Sequence, residues 1–327
     1  MLLAFVAIVL GLATLVWSSD KFVEGAASIA ESFGVSTLMV GLTVVAFGTS
    51  APEILVSGFA SATGSPGLAI GNAIGSNIAN IGLVLGFTSL IVAVPVHPIA
   101  KKQDLSVYIG VVILVGLIFV DGEFAQFEGA SLIIALIIIS ILMVKTRSKI
   151  TDPALITELE GLPLETDSDE HEVLTRNQAL FAFFIGLVML LVSSRLLVWG
   201  AVTVAQAFGV SKVIIGLTII AVGTSLPELA ATLTSALKGH HDLAIGNILG
   251  SNILNMLAVL PLPGLIAPGA LEAGTFSRDF AVMALLSALM FVFIYLPREK
   301  EIITRSKGIV LLSIYATYIG YLIKISI

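Results

Sequence analysis

Cysteine is absent from this sequence of 327 residues, and charged residues make up only 12% of it. The absence of cysteine excludes a disulfide scaffold and a thiolate metal site. Soluble domains carry about 25% charged residues, so a chain that is 57% hydrophobic and this poor in charge is not an ordinary soluble enzyme. The composition predicts an all-α polytopic membrane protein.

Ten segments are mostly apolar over about 20 residues, the length that an α-helix needs to cross a bilayer. They form two groups of five, and the first and sixth are long. We therefore predict one five-helix repeat over 1–146, an acidic linker over 147–176 and a second five-helix repeat over 177–327. The predicted spans are 2–32, 36–61, 67–94, 103–121, 127–145, 177–207, 211–236, 242–267, 278–296 and 307–325.

Two sequence blocks occur in both groups at the same offset. The run GLTVVAFGTSAPE, from Gly41 to Glu53, returns 175 residues later as GLTIIAVGTSLPE, from Gly216 to Glu228. The block AIGN followed by GSNIAN, over 69–80, returns as AIGN followed by GSNILN over 244–255. A duplication that only enlarged a helix bundle would not explain why the identity is concentrated on polar residues.

The repeat and the basic residues together predict the topology. Because five is odd, two successive five-helix units must be inverted relative to each other, an arrangement known from transporters whose site lies between the repeats. Lys21 and Arg195, within the first and sixth predicted spans, are left out of the count. With the N-terminus outside, eleven of the other Lys and Arg residues lie inside and three lie outside, as the positive-inside rule requires. We expect both termini outside and the linker in the cytoplasm, where its acidic residues indicate a solvated segment more than a cation sensor.

Each repeat places one glutamate, Glu53 or Glu228, in the middle of an apolar stretch. An ionised side chain at that depth is costly and is functional by default. No lysine or arginine lies in the central stretches of the second, third, seventh or eighth predicted spans. A purely structural ion pair is therefore a poor explanation for either carboxylate.

A proline precedes each glutamate. Pro52 and Pro227 lack a backbone N–H and clash with the carbonyl four residues earlier, so we expect an unwound turn with free carbonyls around 46–48 and 221–223. Irregular backbone at membrane depth is tolerated where it lines a polar cavity. Carbonyls, hydroxyls, amides and carboxylates are the hard oxygen ligands that Ca²⁺ prefers.

The second block adds polar side chains one turn apart on a helix, so that they share a face. The candidate hydroxyl and amide ligands of both blocks are Thr49, Ser50, Ser76, Asn80, Thr224, Ser225, Ser251 and Asn255. Asn77 and Asn252 lie beside that face and are weaker candidates. The glycine pairs 71/75 and 246/250 have the spacing that lets helices pack closely.

These paired motifs resemble the alpha repeats of the calcium/cation antiporter superfamily, and in particular the prokaryotic sodium/calcium exchangers. The resemblance covers essentially the whole chain. It implies an antiporter that exchanges Ca²⁺ for Na⁺ by alternating access, with ions held by Glu53, Glu228, the eight side chains above and the carbonyls of Ala46 and Ala221. It also implies long first and sixth helices that slide across the rest of the bundle.

The same resemblance implies an integral protein of a prokaryotic plasma (inner) membrane. Its partners would be the lipid bilayer and the transported ions, Ca²⁺ with Na⁺ or H⁺. We expect no cofactor, no nucleic acid and no obligate protein partner.

The chain departs from the family pattern at one position. Well-known sodium/calcium exchangers have Asn at the position of Asn80 and Asp at the position of Asn255, whereas here both are Asn. The fixed charge of the site falls from −3 to −2. If the family Asp works protonated, Asn255 replaces it without loss. If it works ionised, the Na⁺ stoichiometry or the counter-ion differs here.

Among the other functions, an H⁺/Ca²⁺ antiporter is the main alternative, and a cation channel and an enzyme fit the pattern less well. An H⁺/Ca²⁺ antiporter would use Glu53 and Glu228 as proton acceptors on the return stroke. A cation channel is disfavoured, because channels build their sites from symmetric rings rather than from an inverted repeat within one chain. An enzyme is not expected, since the sequence has no His-Glu-x-x-His or Gly-x-Ser-x-Gly motif and no cysteine.

Overall fold

The computed structural model of the chain is mostly helical and describes residues 1–147, 174–209, 215, 219, 221–296 and 302–326. In these ranges eight helices are long and apolar enough to cross a membrane, and a bent helix pair raises the number to nine. The seventh predicted span, 211–236, lies partly outside the described residues, so ten spans stay a prediction. Most of the linker predicted over 147–176 also lies outside them.

The elements are numbered here in chain order. The helices are α1 (Leu2–Phe33), α2 (Thr37–Thr49), α3 (Ala51–Ala62), α4 (Pro66–Ile91), α5 (Ala100–Phe119), α6 (Gln126–Arg147), α7 (Arg176–Ala207), α8 (Ala221–Thr224), α9 (Leu226–Leu237), α10 (His241–Ile266), α11 (Thr275–Tyr295) and α12 (Arg305–Ser326). The strands are β1 (Val94–Pro95), β2 (Glu123–Phe124), β3 (Gly269–Ala270) and β4 (Ile302–Ile303).

Local sequence signals account for the helix ends. Helix α1 stops at Gly34, which adopts a left-handed conformation with φ 64° that costs glycine little. Ser36 then caps α2 by accepting a bond of 3.2 Å from the amide of Met39. At the start of α7, Thr175 and Gln178 form a capping box, which satisfies amides that have no partner within the helix.

Helices α1 and α7 are each 32 residues long, which confirms the prediction of two long spans. They pack against each other at Gly25 of α1 and at Gly186 of α7. A Cβ at Gly25 would clash with the backbone of Phe183, and a Cβ at Gly186 would clash with the backbone of Phe22. The absence of side chains at these positions lets the two backbones approach closely.

Helices α4 and α10 form the centre of the bundle. In the most apolar stretch of α4 and of α10, 72% and 89% of the residues are buried, compared with 33% in α1 and in α7. Buried side chains of α5 and α11 complete the core around them. Two short antiparallel ladders join distant loops, with β1 paired to β4 and β2 paired to β3. Among the candidate spans of the described residues, the two helices that contain the second sequence block are thus the most buried.

Candidate cation site

The Gly-Thr-Ser-x-Pro-Glu run breaks a helix and starts a new one. Helices α2 and α3 meet at Ser50 with a bend of 44°, and Ser225 separates α8 from α9 in the same way. Each proline stands in the first two positions of the new helix, where its missing N–H costs nothing. Glu53 and Glu228 therefore lie in the first turn of a helix, where the positive end of the helix dipole favours a carboxylate.

The backbone break lies later than the sequence indicated. The carbonyl of Ala46, which was expected to be free, accepts a bond of 3.0 Å from the amide of Ser50 and one of 3.4 Å from the hydroxyl of Thr49. The helix continues to Thr49 because the proline two residues after Ser50 begins a helix instead of interrupting one. A carbonyl oxygen has two lone pairs, and both of them accept hydrogen bonds here, so the long bond from Thr49 would have to open before Ala46 could bind a cation. Ala221 is the first residue of α8.

π-Helical turns, which are frequent at functional sites, occur beside both blocks. One runs from Gly41 to Val45 in α2. Two more begin at Asn80 in α4 and at Asn255 in α10, which are equivalent positions of the repeat. The two predicted amide ligands therefore stand where each central helix widens.

The structure brings the predicted side chains of the two copies together. Glu53 and Glu228 are 2% and 3% exposed. The hydroxyl of Ser50, from the first copy, donates to Oε1 of Glu228 in the second copy over 3.5 Å. Thr49 and Ser225 are also buried, whereas Thr224 is half-buried.

The second block forms crossed amide bonds between the copies. Nδ2 of Asn80 donates to Oδ1 of Asn252 over 3.1 Å, and Nδ2 of Asn255 donates to Oδ1 of Asn77 over 3.0 Å. The two bonds are equivalent, because Asn80 and Asn255 are 175 residues apart and so are Asn77 and Asn252. Asn77 and Asn252, ranked low from the sequence, thus contact the two candidate ligands directly.

Five buried oxygen atoms of the predicted ligands have no hydrogen-bond partner among the described residues. Buried polar atoms are nearly always paired, so five unpaired oxygens among the predicted ligands are unusual and suit a cation. These atoms are Oε2 of Glu53, Oε2 of Glu228, Oδ1 of Asn80, Oδ1 of Asn255 and Oγ of Ser251.

Two further asparagines, which the sequence reasoning did not select, support the site. Asn72 donates to the carbonyl of Glu53 over 3.2 Å and to the hydroxyl of Ser57 over 3.0 Å. Its counterpart Asn247 donates to Thr232 over 2.9 Å and accepts from Thr49 over 3.3 Å. Their position in the duplicated AIGN motif was the signal that could have identified them.

A cavity of about 890 Å³ reaches the site from one end of the bundle. Its lining includes the predicted ligands Ser76 and Thr224, and it extends to Glu272 and Asp279 near the start of α11. Asp279 is held by Arg278 and by Tyr318, which donates to it over 2.9 Å. The cavity therefore touches the site at Ser76 and Thr224, and both polar and apolar side chains line it.

Neither glutamate forms an ion pair within the described residues. The described ranges also contain no cluster of three or more His, Asp or Glu side chains. Hydroxyls and amides therefore make up most of the polar atoms around the two carboxylates. Such a set fits a hard cation that exchanges readily better than a tightly held transition metal.

Comparison with known proteins gives consistent matches over the whole chain. Residues 3–145 and 178–324 match the family described as sodium/calcium exchanger protein. The putative antiporter CaxA of Alkalimonas amylolytica is 44% identical over 98% of each chain. The sodium/calcium exchanger MaX1 of Methanosarcina acetivorans is 32% identical over 98% of this chain and 99% of its own.

Solved structures of the sodium-calcium exchanger NCX_Mj share this fold. The structure soaked without Na⁺ and Ca²⁺ has a TM-score of 0.81 and 35% identity, and the match covers 98% of this chain and 99% of that one. The structure soaked with 2.5 mM Na⁺ and 0.1 mM Ca²⁺ has a TM-score of 0.80.

Proposed function

The chain belongs to the sodium/calcium exchanger family, and from that premise we propose that it exchanges Ca²⁺ for Na⁺ across a membrane by alternating access. The observation that carries the proposal is the group of five unpaired buried oxygens, two of them from carboxylates. Oxygen ligands of this kind bind Ca²⁺ and Na⁺, and two negative charges balance one Ca²⁺. The relatives named as sodium/calcium exchangers favour Na⁺ over H⁺ as the counter-ion.

The proposed ion site contains all the predicted ligands. Glu53 and Glu228 supply the charge, and hydroxyls, amides and carbonyls supply the other oxygens. The full set is Ala46, Thr49, Ser50, Glu53, Ser76, Asn80, Ala221, Thr224, Ser225, Glu228, Ser251 and Asn255. Burial of most of these side chains and the cavity beside Ser76 and Thr224 support the assignment.

We also propose ten spans in two inverted repeats, with both termini outside and the 147–176 linker in the cytoplasm. Contacts that recur between the two repeats support the inversion. The crossed amide bonds are interchanged by the 175-residue offset. The ladder β1–β4 corresponds to β3–β2, with β3 lying 175 residues after β1 and β4 lying 179 residues after β2. In this orientation the 890 Å³ cavity opens to the outside. The inner side would then be the closed one.

The proposal is tested by uptake of radioactive Ca²⁺ into proteoliposomes under an imposed Na⁺ gradient, with an imposed pH gradient as the comparison. We expect uptake with the Na⁺ gradient and little with the pH gradient. Uptake that follows only the pH gradient would replace Na⁺ with H⁺. Absence of uptake under both gradients from protein that is folded and correctly inserted would refute Ca²⁺ antiport.

A further inference from the structure

Two buried asparagines contact the proposed ligands without being among them. Asn77 and Asn252 are fully buried, and each accepts a bond from the amide nitrogen of a ligand in the opposite copy. Asn77 is itself fixed, because its Nδ2 donates to the carbonyl of Asn252 over 3.2 Å. The ligand-bearing helices α4 and α10 are thus joined at this level by side-chain amides.

The planarity of an amide group makes these bonds directional. The oxygen and nitrogen of an asparagine side chain point to opposite sides, and the two ends carry partial charges of opposite sign. When Nδ2 of Asn80 is bound to Asn252, Oδ1 of Asn80 must turn away from that bond. The same holds for Asn255 when its Nδ2 is bound to Asn77. Both Oδ1 atoms are in fact buried and unpaired among the described residues.

A flipped amide would present N–H groups to the cation and would set two carbonyl oxygens against each other. We therefore propose that Asn77 and Asn252 are positioning residues that hold the side-chain oxygens of Asn255 and Asn80 toward the transported ion. This inference rests on the proposed function of the site. It assigns to these residues no direct contact with the ion.

The proposal also has a consequence that depends on residue 255 being an asparagine. An ionised aspartate at position 255 could not donate to Oδ1 of Asn77, and its two oxygens would be equivalent. Such a residue needs no orienting partner. The Asn80 and Asn255 pair needs one on each side, and the structure has one on each side.

A double-mutant cycle separates positioning from mere packing. Asn252→Leu removes the acceptor at similar side-chain size, and Asn80→Asp removes the need for orientation because either oxygen of a carboxylate serves. We expect Asn252→Leu alone to weaken Ca²⁺ binding about tenfold, which corresponds to about 1.4 kcal/mol, and to have little effect when it is combined with Asn80→Asp. An equal loss in both backgrounds would indicate packing alone and would overturn the proposal.

The mirror cycle uses Asn77→Leu, alone and combined with Asn255→Asp, with the same expectation. Ca²⁺ affinity is measured from the rise of the melting temperature of purified protein with Ca²⁺ concentration, which does not depend on the counter-ion. Ca²⁺ transport is measured in parallel, and the KM should change more than the maximal rate. If both leucine variants fail to fold, the amides serve the fold and the proposal is wrong.

The outcome is distinguishable from failure of the proposed function. If wild-type protein binds Ca²⁺ but does not transport it under a Na⁺ gradient, the exchange assignment fails while the cycles still report on amide orientation. If wild-type protein transports Ca²⁺ and both cycles are additive, the exchange assignment stands and the positioning role fails.

Discussion

The second block of the repeat has the same glycine pair in both copies but different surroundings. Gly246 and Gly250 of α10 pack on α2: a Cβ at Gly246 would lie 2.7 Å from the carbonyl oxygen of Leu38, and a Cβ at Gly250 would lie 2.7 Å from Cβ of Ala46. Gly71 and Gly75 of α4 line the cavity instead, and within the described residues no heavy atom beyond the neighbouring residues and the local helix backbone lies within 4 Å of a Cβ placed on either.

A small-residue motif therefore indicates that another helix can approach closely, but it does not determine which contact is made. The sequence predicted close packing at both pairs, and the prediction is confirmed for 246/250. For 71/75 it stays a prediction, because most of residues 213–221, the counterpart of the α2 segment that packs on 246/250, lie outside the described residues. Under the proposed alternating access, the α2–α10 contact belongs to the closed side and the cavity to the open side. The two copies would exchange these surroundings during transport.

The two copies also differ in their side-chain contacts with the long helices. Ser19 of α1 forms a hydroxyl bond of 2.9 Å with Thr234 of α9, and Asp20 forms an ion pair with Lys238 at the end of α9. The equivalent positions 59 and 63 in the first copy hold phenylalanine and threonine. Neither of these side chains is charged, so neither can form an ion pair with Arg195, the counterpart of Asp20.

The largest effects should be equal in the two copies. Glu53→Gln and Glu228→Gln each leave a bound Ca²⁺ with an unbalanced charge in a low-dielectric cavity, so we expect Ca²⁺ uptake to fall about 100-fold or more, equivalent to about 2.7 kcal/mol. Uptake into proteoliposomes measures this, with melting temperature as the control for folding. Near-normal exchange by either variant would remove that glutamate from the site.

The glycine comparison predicts an unequal effect on stability. Gly250→Ala forces a methyl group against the backbone of α2 and should destabilise the protein by about 1–3 kcal/mol. Gly75→Ala places a methyl group in the cavity and should leave stability unchanged or raise it by about 0.5–1 kcal/mol. Thermal unfolding of the two variants in detergent provides the measurement. Equal destabilisation would mean that α4 and α10 have the same surroundings in solution.

The proline at each break should affect affinity more than stability. Pro52→Ala permits a continuous helix from α2 into α3 and restores a backbone bond worth about 1 kcal/mol, so stability should hold or rise. Straightening turns Glu53 away from Glu228, and we expect Ca²⁺ affinity to fall by several-fold, on the order of 1 kcal/mol. Pro227→Ala is the matched variant in the other copy. Unchanged Ca²⁺ affinity in both, measured by calorimetry, would show that the bend does not set the site.

The smallest effect should come from the ion pair between α1 and the end of α9, which has no charged counterpart at the equivalent positions of the first copy. The Asp20–Lys238 pair is partly exposed, and such pairs contribute about 0–1 kcal/mol, so Asp20→Asn should change the maximal exchange rate by about fivefold or less. Lys21→Gln is the control, because Lys21 pairs with Glu24 within the same helix. Reversing the pair with Asp20→Lys and Lys238→Asp should restore the rate; a rate that stays altered would assign the effect to the single charges instead.

Much of the candidate site could be predicted because the repeat marks it. Glu53, Glu228 and the polar residues of both blocks were identified from apolar surroundings and duplication, and the structure places most of them together in the buried centre. The position of the backbone break was not predictable from proline chemistry alone. Pro52 both disfavours the helix before it and favours the start of one at its own position, and the balance placed the break at Ser50.

The sequence by itself determined the membrane class, the two long helices, the family and the residue types that converge, because apolar length, charge and repetition are properties of the chain alone. Tertiary structure decided which oxygens stay unpaired, that Asn77 and Asn252 bond to Asn255 and Asn80, and that one glycine pair packs while the other lines a cavity. These facts depend on the relative placement of helices that lie about half the chain apart, and such placement follows from the packing of the whole core.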